Sequence, residues 1–329
     1  MVGDFFWDLP IFAQMSEQTT GIVIMAFGKA AYHEMAYNFA LSVKHFDRDL
    51  PIQLICDKRD VLIPHKYWVF DIITIIQHED IYTSYSFSPG KAKTRIDKYM
   101  AFDNNLYFDI DGIALKSLKP LVERMLALPE DGYYYVQSAD LSGPYQPIPK
   151  ANLHKDGPRF GHMIWAGLDT IWEYHQMPDD AMVTAINSSF AFFRKGEKLT
   201  QFFDQVRDNI DNGIPVDRLQ AWGGTYPDEL AFNIACAQFG LDPWPGINPV
   251  YFHSINKSIN GKDIKIVYED YYVLGLFGGE SCTHSSVWEM SCNLLGQYHA
   301  NMGLTHEYKW HSLVKQKHAG KQKQLIRWK

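Results

Sequence analysis

The chain has 329 residues, of which 46% are hydrophobic and 21% are charged. This composition can form a sizeable core and excludes a disordered or fibrous protein, and the length allows one large domain or two small ones. The formal net charge is −7, but it is unevenly placed along the chain.

The N-terminal sequence predicts neither a signal peptide nor a membrane anchor. Asp4 and Asp8 interrupt the early aromatic residues, and no apolar run approaches the length of a membrane span. The four cysteines include no CxxC pair, which favours reduced thiols in the cytoplasm. Cys56 and Cys236 lie in apolar patterns and are expected to be buried.

Apolar runs predict a parallel sheet in the first part of the chain. Strands are expected at residues 21–27, 52–56 and 72–76, with a helix at 31–45 between the first two. Continuous apolar strands that alternate with a helix indicate a sheet covered on both faces, which is an α/β fold.

The remaining sequence continues this alternation. The predicted elements, in order, are a helical stretch near 92–102, a strand at 106–108, a helix at 118–126, a strand at 133–137, a long loop at 141–156, a strand at 185–193, an amphipathic helix at 197–210, an irregular segment at 211–225, a helix from 227 to about 239, short strands at 250–253, 265–267 and 273–277, and a helix at 285–302.

Two aspartates follow the strand at 106–108. Asp109 and Asp111 lead directly into Gly112, and ligands of open α/β sheets lie beyond the carboxyl ends of strands. Carboxylates there can bind Mn²⁺ or Mg²⁺, which take their remaining ligands from water and phosphates. The pair predicts a cation that holds the diphosphate of a sugar nucleotide and neutralises charge on the leaving group. An ordinary Asp-Gly turn is the alternative.

The carboxyl ends of the first two strands are candidates for the nucleotide's base and ribose. Phe27 ends the first strand, and Asp57 follows the second. Asp57 is placed to accept hydrogen bonds from ribose hydroxyls, and a turn or helix cap is its alternative role.

With these motifs the chain resembles the GT-A glycosyltransferases, and within them the retaining family 8 of glycogenin and the lipooligosaccharide galactosyltransferases. The resemblance covers about residues 21–253. It implies a GT-A (nucleotide-diphospho-sugar transferase) fold, with a Rossmann-like mixed central sheet flanked by helices. The expected organisation is an N-terminal extension at 1–20, a catalytic domain at 21–280 and a helical, basic C-terminal extension at 281–329.

The same resemblance implies an activity and its cofactors. The enzyme would use Mn²⁺ or Mg²⁺ and a nucleotide-sugar donor, which by family analogy is a UDP-sugar, and would transfer the sugar to a hydroxyl. The acceptor would be a glycan, a glycolipid or lipid-linked sugar, or a modified DNA base. The aspartate pair takes the family's metal-binding position.

Basic residues upstream of the aspartates correspond to family residues that approach the donor. Lys93, Arg95 and Lys98 occupy these places, and Asp97 is a candidate acceptor of sugar hydroxyls. Solvated charges on a helix surface are the alternative for each of them.

Two further family motifs are altered in this chain. An Asn-Ser/Ala-Gly strand start keeps Asn187 but has Ser189 in place of Gly. A helix start keeps Asp228 and Asn233 at the family spacing, but Glu229 stands where the family has Gln. A carboxylate there can act as nucleophile or base, so the stereochemical outcome stays open. The alternative is acidic charge that complements the helix dipole.

The family's third metal ligand is a His on a late strand, followed by a Lys that contacts the diphosphate. His253 and Lys257 are the matching residues, and His284 is the other candidate for the ligand. The family's fuller motif after this His is not reproduced.

The last 21 residues form a basic tail, defined here as residues 309–329. It carries six Lys, one Arg and no acidic residue, interspersed with Trp310, Leu313, Val314, Leu325, Ile326 and Trp328. Such a segment can lie on an anionic membrane, which would make the protein peripheral to it, or can follow a nucleic-acid backbone. A solvated tail is the alternative.

Two other functions compete with sugar transfer. A non-catalytic nucleotide-sugar binding module on the same fold is favoured by the changes at Glu229 and Ser189. A nucleotidyltransferase is disfavoured because the turn around Gly28 is too sparse for a phosphate-binding loop.

Overall fold

The structure is a computed structural model that describes residues 19–58, 62, 64–82, 88–129, 134–135, 148–149, 182–183, 188–211, 228–241, 251–253, 258–259, 262–263, 271–275 and 285–304. The strands are β1 Thr20–Ala26, β2 Ile52–Cys56, β3 Ile72–Ile75, β4 Asn104–Phe108, β5 Gly112–Ala114, β6 Tyr134–Tyr135, β7 Ile148–Pro149, β8 Met182–Val183, β9 Phe190–Arg194, β10 Tyr251–His253, β11 Ser258–Ile259, β12 Lys262–Asp263 and β13 Val273–Gly275. The α-helices are α1 Ala30–Phe46, α2 Pro89–Lys93, α3 Lys119–Leu126, α4 Glu197–Asp211, α5 Asp228–Gln238 and α6 Ser285–Asn301.

A six-stranded mixed sheet, in the order β3-β2-β1-β4-β9-β6, forms the centre of the fold. The strands β3, β2, β1 and β4 are parallel, whereas β9 runs antiparallel to β4. Every residue of β2 and β4 is buried, as the continuous apolar runs predict. The prediction of an α/β fold with a mixed central sheet is therefore confirmed.

The two faces of this sheet pack against different helices. Leu106 and Phe108 face the layer formed by α1 and α3. Tyr107 faces the opposite layer, which contains α4 and α5 together with Ala92 of α2. Because side chains alternate along a strand, Asp109 continues the Tyr107 side of β4. That side is where the candidate site forms.

A second, three-stranded sheet has the order β10-β13-β5. Its strand β5 begins at Gly112, directly after the two aspartates, and Gly112 pairs with Gly275 of β13. Gly275 pairs in turn with His253 of β10. The two sheets are thus joined by the residues that link β4 to β5.

Helix α6 confirms the prediction of a helix at 285–302, and it packs against α1. Leu295 and Tyr298 are buried there, and the Tyr298 hydroxyl donates a hydrogen bond of 3.1 Å to the carbonyl oxygen of Ala114. The ring of His45 stacks on Tyr298 with centroids 4.4 Å apart. The basic tail lies outside the described residues, as do the N-terminal residues 1–18 and the strand predicted at 265–267.

The helix predicted near residues 92–102 is wrong in its bounds. Ser88 caps an earlier, shorter helix, α2, by accepting from the backbone N–H of Lys91, and only a 3-10 turn at Ile96–Lys98 follows. The chain leaves the helix at Thr94, whose hydroxyl donates to the carbonyl of Lys91. Phe102 then enters the core.

Two other predicted bounds are corrected by the structure. The loop predicted at 141–156 contains β7, which pairs antiparallel with β8 and so satisfies its backbone groups in a ladder. The strand predicted at 185–193 begins only at Phe190, because Ser188 and Ser189 form a turn. Cys56 and Cys236 are buried free thiols, as predicted.

Among the described residues, no helix combines the length and the apolar character that a membrane crossing requires.

Candidate functional site

The candidate site lies at the carboxyl end of β4, on the side of the sheet that faces α2 and α5. The backbone N–H of Asp109 donates to the carbonyl oxygen of Ser189 at 2.8 Å, one step beyond the β4–β9 ladder. This bond fixes the backbone of Asp109 against the turn before β9. The Asp109 side chain is 26% exposed, so one part of it reaches solvent.

The ammonium group of Lys93 lies at the centre of the site. Its Nζ is 3.0 Å from Oδ1 of Asp109 and 3.4 Å from Oδ2 of Asp228. It also donates to the hydroxyl of Ser188 at 3.0 Å. Residues from α2, the end of β4, the turn before β9 and the start of α5 therefore meet at one side chain.

Ser188 connects the ammonium to the second carboxylate. Its hydroxyl accepts from Lys93 and donates to Oδ2 of Asp228 at 3.2 Å. Asp228 is the first residue of α5, where a carboxylate complements the positive end of the helix dipole. Asp228 therefore has the position of a charge that complements the helix terminus, and it also belongs to the polar cluster.

Burial and the neighbouring charges fix the protonation states in the cluster. Burial alone would lower the pKa of Lys93, but Asp109, Tyr107 and Asp228 outweigh it and hold that pKa well above its usual range. Burial, reinforced by Asp109, raises the pKa of Tyr107 well above its usual range. Lys93 is therefore charged and Tyr107 carries its proton at neutral pH.

The acidic pair offers the hard oxygen ligands that Mn²⁺ and Mg²⁺ prefer. Asp109 and Asp111 are both half-buried at the junction of the two sheets. The strand register places His253 in one row with Gly112, two strands away, or about 10 Å between Cα atoms. Among the side chains that the structure describes, no group of three or more His, Cys, Asp or Glu forms a metal site. The His253 side chain is outside that set. The carboxylate oxygens of Asp109 and Asp111 are ligands of the kind that a hard cation takes.

Asp57 shapes the turn that follows β1. Each of its carboxylate oxygens lies 3.1 Å from the backbone nitrogen of Gly28, which has a φ of 77° that favours glycine. Nε2 of the buried His33 is 3.5 Å from Oδ1 of Asp57. Phe27 turns its side chain into the core. The contacts of Asp57 are therefore those of a turn cap, the alternative role considered for it from the sequence.

Arg95 and Lys98 pair with Asp80, whereas Lys93 pairs with Asp109 and Asp228. Nε of Arg95 is 3.4 Å and Nζ of Lys98 is 3.1 Å from Oδ1 of Asp80. Arg95 also reaches Asp211, at the end of α4, at 3.1 Å. These residues hold the segment that carries Lys93, and the structure does not place them in the cluster around Asp109.

Asp97 is also paired within the fold. Its Oδ1 accepts a 2.7 Å hydrogen bond from Arg207 of α4. Asp97 therefore joins the 3-10 turn to α4 and is not directed at the Lys93 cluster by this contact.

Several residues predicted for the site lie outside the described residues, namely Asn187, Lys257 and His284. The backbone of Glu229 lies in the first turn of α5, next to Asp228. Asn233, one turn further on, is buried.

Tyr107 is a member of this cluster that was not predicted from the sequence. It was counted only within the apolar run, yet its hydroxyl donates to Oδ1 of Asp109 at 2.6 Å. The period of two along a strand was the available signal, since it puts Tyr107 and Asp109 on one face.

No family model matches this chain, and no curated protein sequence matches it. Solved structures do share its fold. The apo structure of the bifunctional glycosyltransferase WbbM matches with a TM-score of 0.56 and 8% identity over 92% of this chain. The match covers 52% of the WbbM chain, so this chain spans about half the length of that protein.

An active-site mutant of LgtC, in which a glutamine is replaced by glutamate, matches with a TM-score of 0.51 and 15% identity. It covers 89% of this chain and 99% of the LgtC chain. Together with the mixed sheet, these similarities confirm the GT-A glycosyltransferase fold. At such low identity they establish the fold alone.

Proposed function

We propose that this chain is a metal-dependent glycosyltransferase that moves a sugar from a nucleotide-diphosphate donor, a UDP-sugar, to a hydroxyl acceptor. The observation that carries the proposal is the cluster at the end of β4. Lys93 there lies within 3.4 Å of the carboxylates of Asp109, at the end of β4, and Asp228, at the start of α5. The fold and the polar cluster together support sugar transfer more than any other chemistry.

Asp109, Asp111 and His253 are the proposed ligands of Mn²⁺ or Mg²⁺. The cation would supply positive charge to the diphosphate of the donor as the glycosidic bond breaks. Support comes from the hard donor set and from the strand register, which brings the backbone of His253 into the row next to Asp111.

The nucleoside half of the donor is assigned to the ends of β1 and β2, around Phe27 and Asp57. Ligands of open α/β sheets bind at this edge. Both oxygens of Asp57 already hold Gly28, so this carboxylate shapes the binding turn and presents its remaining lone pairs to ribose. Lys257 is proposed to contact the diphosphate.

Lys93 is proposed to contact the donor diphosphate, because an ammonium group at the carboxyl edge of the sheet attracts phosphate oxygens. Arg95 and Lys98 contribute indirectly. Through Asp80 they hold the segment that begins with Lys93.

The sugar is assigned to Asn187, Asp228 and Glu229. Transfer breaks the bond between the anomeric carbon and the diphosphate oxygen, which keeps the electron pair, and forms a bond to the acceptor oxygen. The acceptor proton must pass to a base, and a carboxylate at the start of α5 can accept it. With Glu229 in the place of the family's Gln, both retention and inversion of the anomeric centre are open, and proton NMR of the product anomer distinguishes them.

Substitution of the two aspartates tests the proposal. Asp109→Asn and Asp111→Asn should each lower Mn²⁺-dependent hydrolysis or transfer of a UDP-sugar by about 100-fold. Loss of a residue that only supports a metal ligand costs up to about 100-fold, so loss of a ligand should cost at least as much. Asp49→Asn is the matched control, since Asp49 is 74% exposed and pairs with Lys119. Full activity in both site variants would overturn the metal assignment.

The donor can be found by thermal shift with UDP-, GDP- and CDP-sugars in the presence of Mn²⁺. A donor at 100 times its Kd stabilises the native state by about 2.7 kcal/mol, so the cognate nucleotide should stand apart from the others. Stabilisation without turnover across many acceptors would favour the second candidate function, a nucleotide-sugar binding module. Glu229 and Ser189 are the departures that favour that candidate.

The acceptor is proposed to be a glycan, a lipid-linked sugar or a modified DNA base. The basic tail supports the last two, because its seven positive charges and interspersed apolar residues suit an anionic lipid surface or a nucleic acid.

A further inference from the structure

Tyr107 makes a short contact to the first of the two aspartates. Its hydroxyl donates to Oδ1 of Asp109 at 2.6 Å, and the residue is 3% exposed. The two side chains lie on the same face of β4 because they are two residues apart. The hydrogen bond therefore runs along the strand toward the edge of the sheet.

The same carboxylate oxygen also faces Lys93. Nζ of Lys93 is 3.0 Å from Oδ1 of Asp109 and 5.4 Å from the centroid of the Tyr107 ring. The ring face attracts the ammonium by a cation–π interaction. Tyr107 thus contacts both members of the ion pair, one through its hydroxyl and the other through its ring.

A carboxylate oxygen has two lone-pair sites. On Oδ1 of Asp109 these sites face the Tyr107 hydroxyl and the Lys93 ammonium. A cation that approaches Oδ1 would have to displace one of these two donors, whereas Oδ2 can be reached without that loss.

We propose that Tyr107 is a positioning residue that holds Oδ1 of Asp109 and so presents Oδ2 to the divalent cation as a single ligand oxygen. The inference rests on the proposed function, since it assumes that Asp109 binds a metal. Outer-sphere partners of this kind orient a ligating carboxylate and raise metal affinity.

The backbone at this point does not depend on Tyr107. The Asp109 N–H is held by Ser189, so loss of the tyrosine hydroxyl frees the carboxylate to rotate without moving the strand. Tyr107→Phe removes the hydroxyl and keeps the ring, its packing and its contact with Lys93.

The fold offers a matched control in Tyr99. Its hydroxyl donates to Oδ2 of Asp80 at 2.6 Å, the same length as the bond from Tyr107. Asp80 pairs with Lys98 and Arg95, away from the aspartate pair. Tyr99→Phe therefore removes a bond of the same length at a carboxylate that is not a proposed metal ligand, together with the bond that the hydroxyl accepts from the N–H of Gln77.

The experiment measures Mn²⁺ binding to the metal-free protein, without donor, by isothermal titration calorimetry and by the loss of the free-ion EPR signal. Tyr107→Phe should raise the Kd for Mn²⁺ by about tenfold, the lower range for outer-sphere substitutions. Tyr99→Phe should leave the Kd unchanged, although both variants lower the thermal midpoint. Tyr107→Leu, which keeps apolar bulk in the core, should weaken binding at least as much as Tyr107→Phe.

The outcomes separate the inference from the proposed function. Asp109→Asn should abolish Mn²⁺ binding. If it does so while both Tyr107 variants bind Mn²⁺ as the wild type does, the residue is purely structural and only the inference fails. If Asp109→Asn binds Mn²⁺ normally, or if the wild type binds none, both the metal assignment and the inference fail.

Discussion

Lys93 lies between the carboxylates of Asp109 and Asp228, which are 16 and 135 residues away in sequence. The fold, and not the local chain, brings these two carboxylates together. The ammonium attracts both carboxylates and reduces the repulsion between their like charges at the carboxyl end of the sheet. Its side chain is 14% exposed, so this pairing takes place with little water present and is stronger than a surface ion pair.

Substituting Lys93 should therefore destabilise the metal-free protein. Lys93→Met leaves two half-buried carboxylates uncompensated, and we expect a loss of about 2–3 kcal/mol in the free energy of unfolding. Mn²⁺ should restore part of it, because the cation supplies positive charge to Asp109, which is one of these two carboxylates. Urea unfolding with and without Mn²⁺ measures both effects.

The control for this prediction is Lys119→Met. Lys119 pairs with Asp49 on the surface, with side chains 49% and 74% exposed, and its removal should change stability little. Equal losses from Lys93→Met and Lys119→Met would contradict the stabilising role assigned to the cluster.

His33 should make stability depend on pH. Burial lowers the pKa of this histidine below 6.5, although the nearby Asp57 opposes the shift. As the pH falls below 6.5, the unfolded chain takes up a proton that the folded chain does not, so stability declines. His33→Gln removes this proton uptake and should flatten the dependence between pH 7.5 and 5.5.

Thermal midpoints of the two proteins across that pH range provide the measurement. The acidic groups are common to both, so the difference between the two curves isolates the histidine. Parallel curves would show that His33 takes up its proton equally in both states.

Among single residues, Asp109 and Asp111 were predicted as metal ligands because the sequence itself places them directly after an apolar, strand-like run. Lys93 was found through resemblance alone, and Ser188 was known only as part of an altered motif. The contact between Lys93 and Ser188 spans 95 residues, and no spacing rule reaches that far. Tyr107 was overlooked because an apolar run hides the one polar atom that it carries.

Among the elements, the segment at 88–102 departs most from its predicted form, and its side chains explain why. The Thr94 hydroxyl donates to the carbonyl oxygen of Lys91, which the backbone N–H of Arg95 would bond in a continuous helix. The N–H of Arg95 donates to the carbonyl oxygen of Ala92 instead, so the segment continues as a 3-10 turn. By contrast, the parallel strands were predicted nearly to the residue, because burial on both faces selects continuous apolar runs.

The pair between Asp97 and Arg207 should be essential to that segment. The two side chains are 11% and 16% exposed, so Arg207→Met leaves a buried carboxylate without its partner. We expect a loss of about 3 kcal/mol in the free energy of unfolding at pH 7, as for other buried pairs broken on one side.

The pH dependence of that loss checks its cause. Burial raises the pKa of Asp97 despite the opposing effect of Arg207, and removal of the arginine raises it further. The folded state then binds a proton before the unfolded state does, so the deficit of the variant should shrink as the pH falls toward 5. A deficit that stays constant from pH 7 to pH 5 would assign the loss to packing rather than to the buried charge.

For the molecule as a whole, the two sheets meet where the chemistry is proposed. Strand β4 of the six-stranded sheet ends at Phe108, and strand β5 of the three-stranded sheet begins at Gly112. The aspartate pair lies in the short link between these two strands. The sequence indicated the parallel sheet, but it gave no sign that β13 would join β10 to β5. That pairing connects residues 112–114 with 273–275, and such short strands carry too few residues to show a period.

Charge is divided unevenly over the whole molecule, and this division leads to the last prediction. The basic tail holds seven of the 31 basic residues and none of the 38 acidic ones. Without it the formal net charge changes from −7 to −14. Binding to an anionic surface should therefore depend on the tail, because each Lys or Arg near an anionic membrane contributes about 1 kcal/mol.

Deletion of residues 309–329 should abolish sedimentation with phosphatidylserine vesicles or binding to a DNA duplex, whichever the 329-residue chain displays. Both interactions weaken with salt, so salt alone does not separate them. Trp310→Ser with Trp328→Ser does, since indole rings insert at a lipid interface whereas phosphate neutralisation depends on charge. Loss of vesicle binding in this double variant identifies a membrane, and unchanged DNA binding in the same variant identifies a nucleic acid. If the deletion changes neither interaction, the tail is a solvated segment and the acceptor must be sought without it.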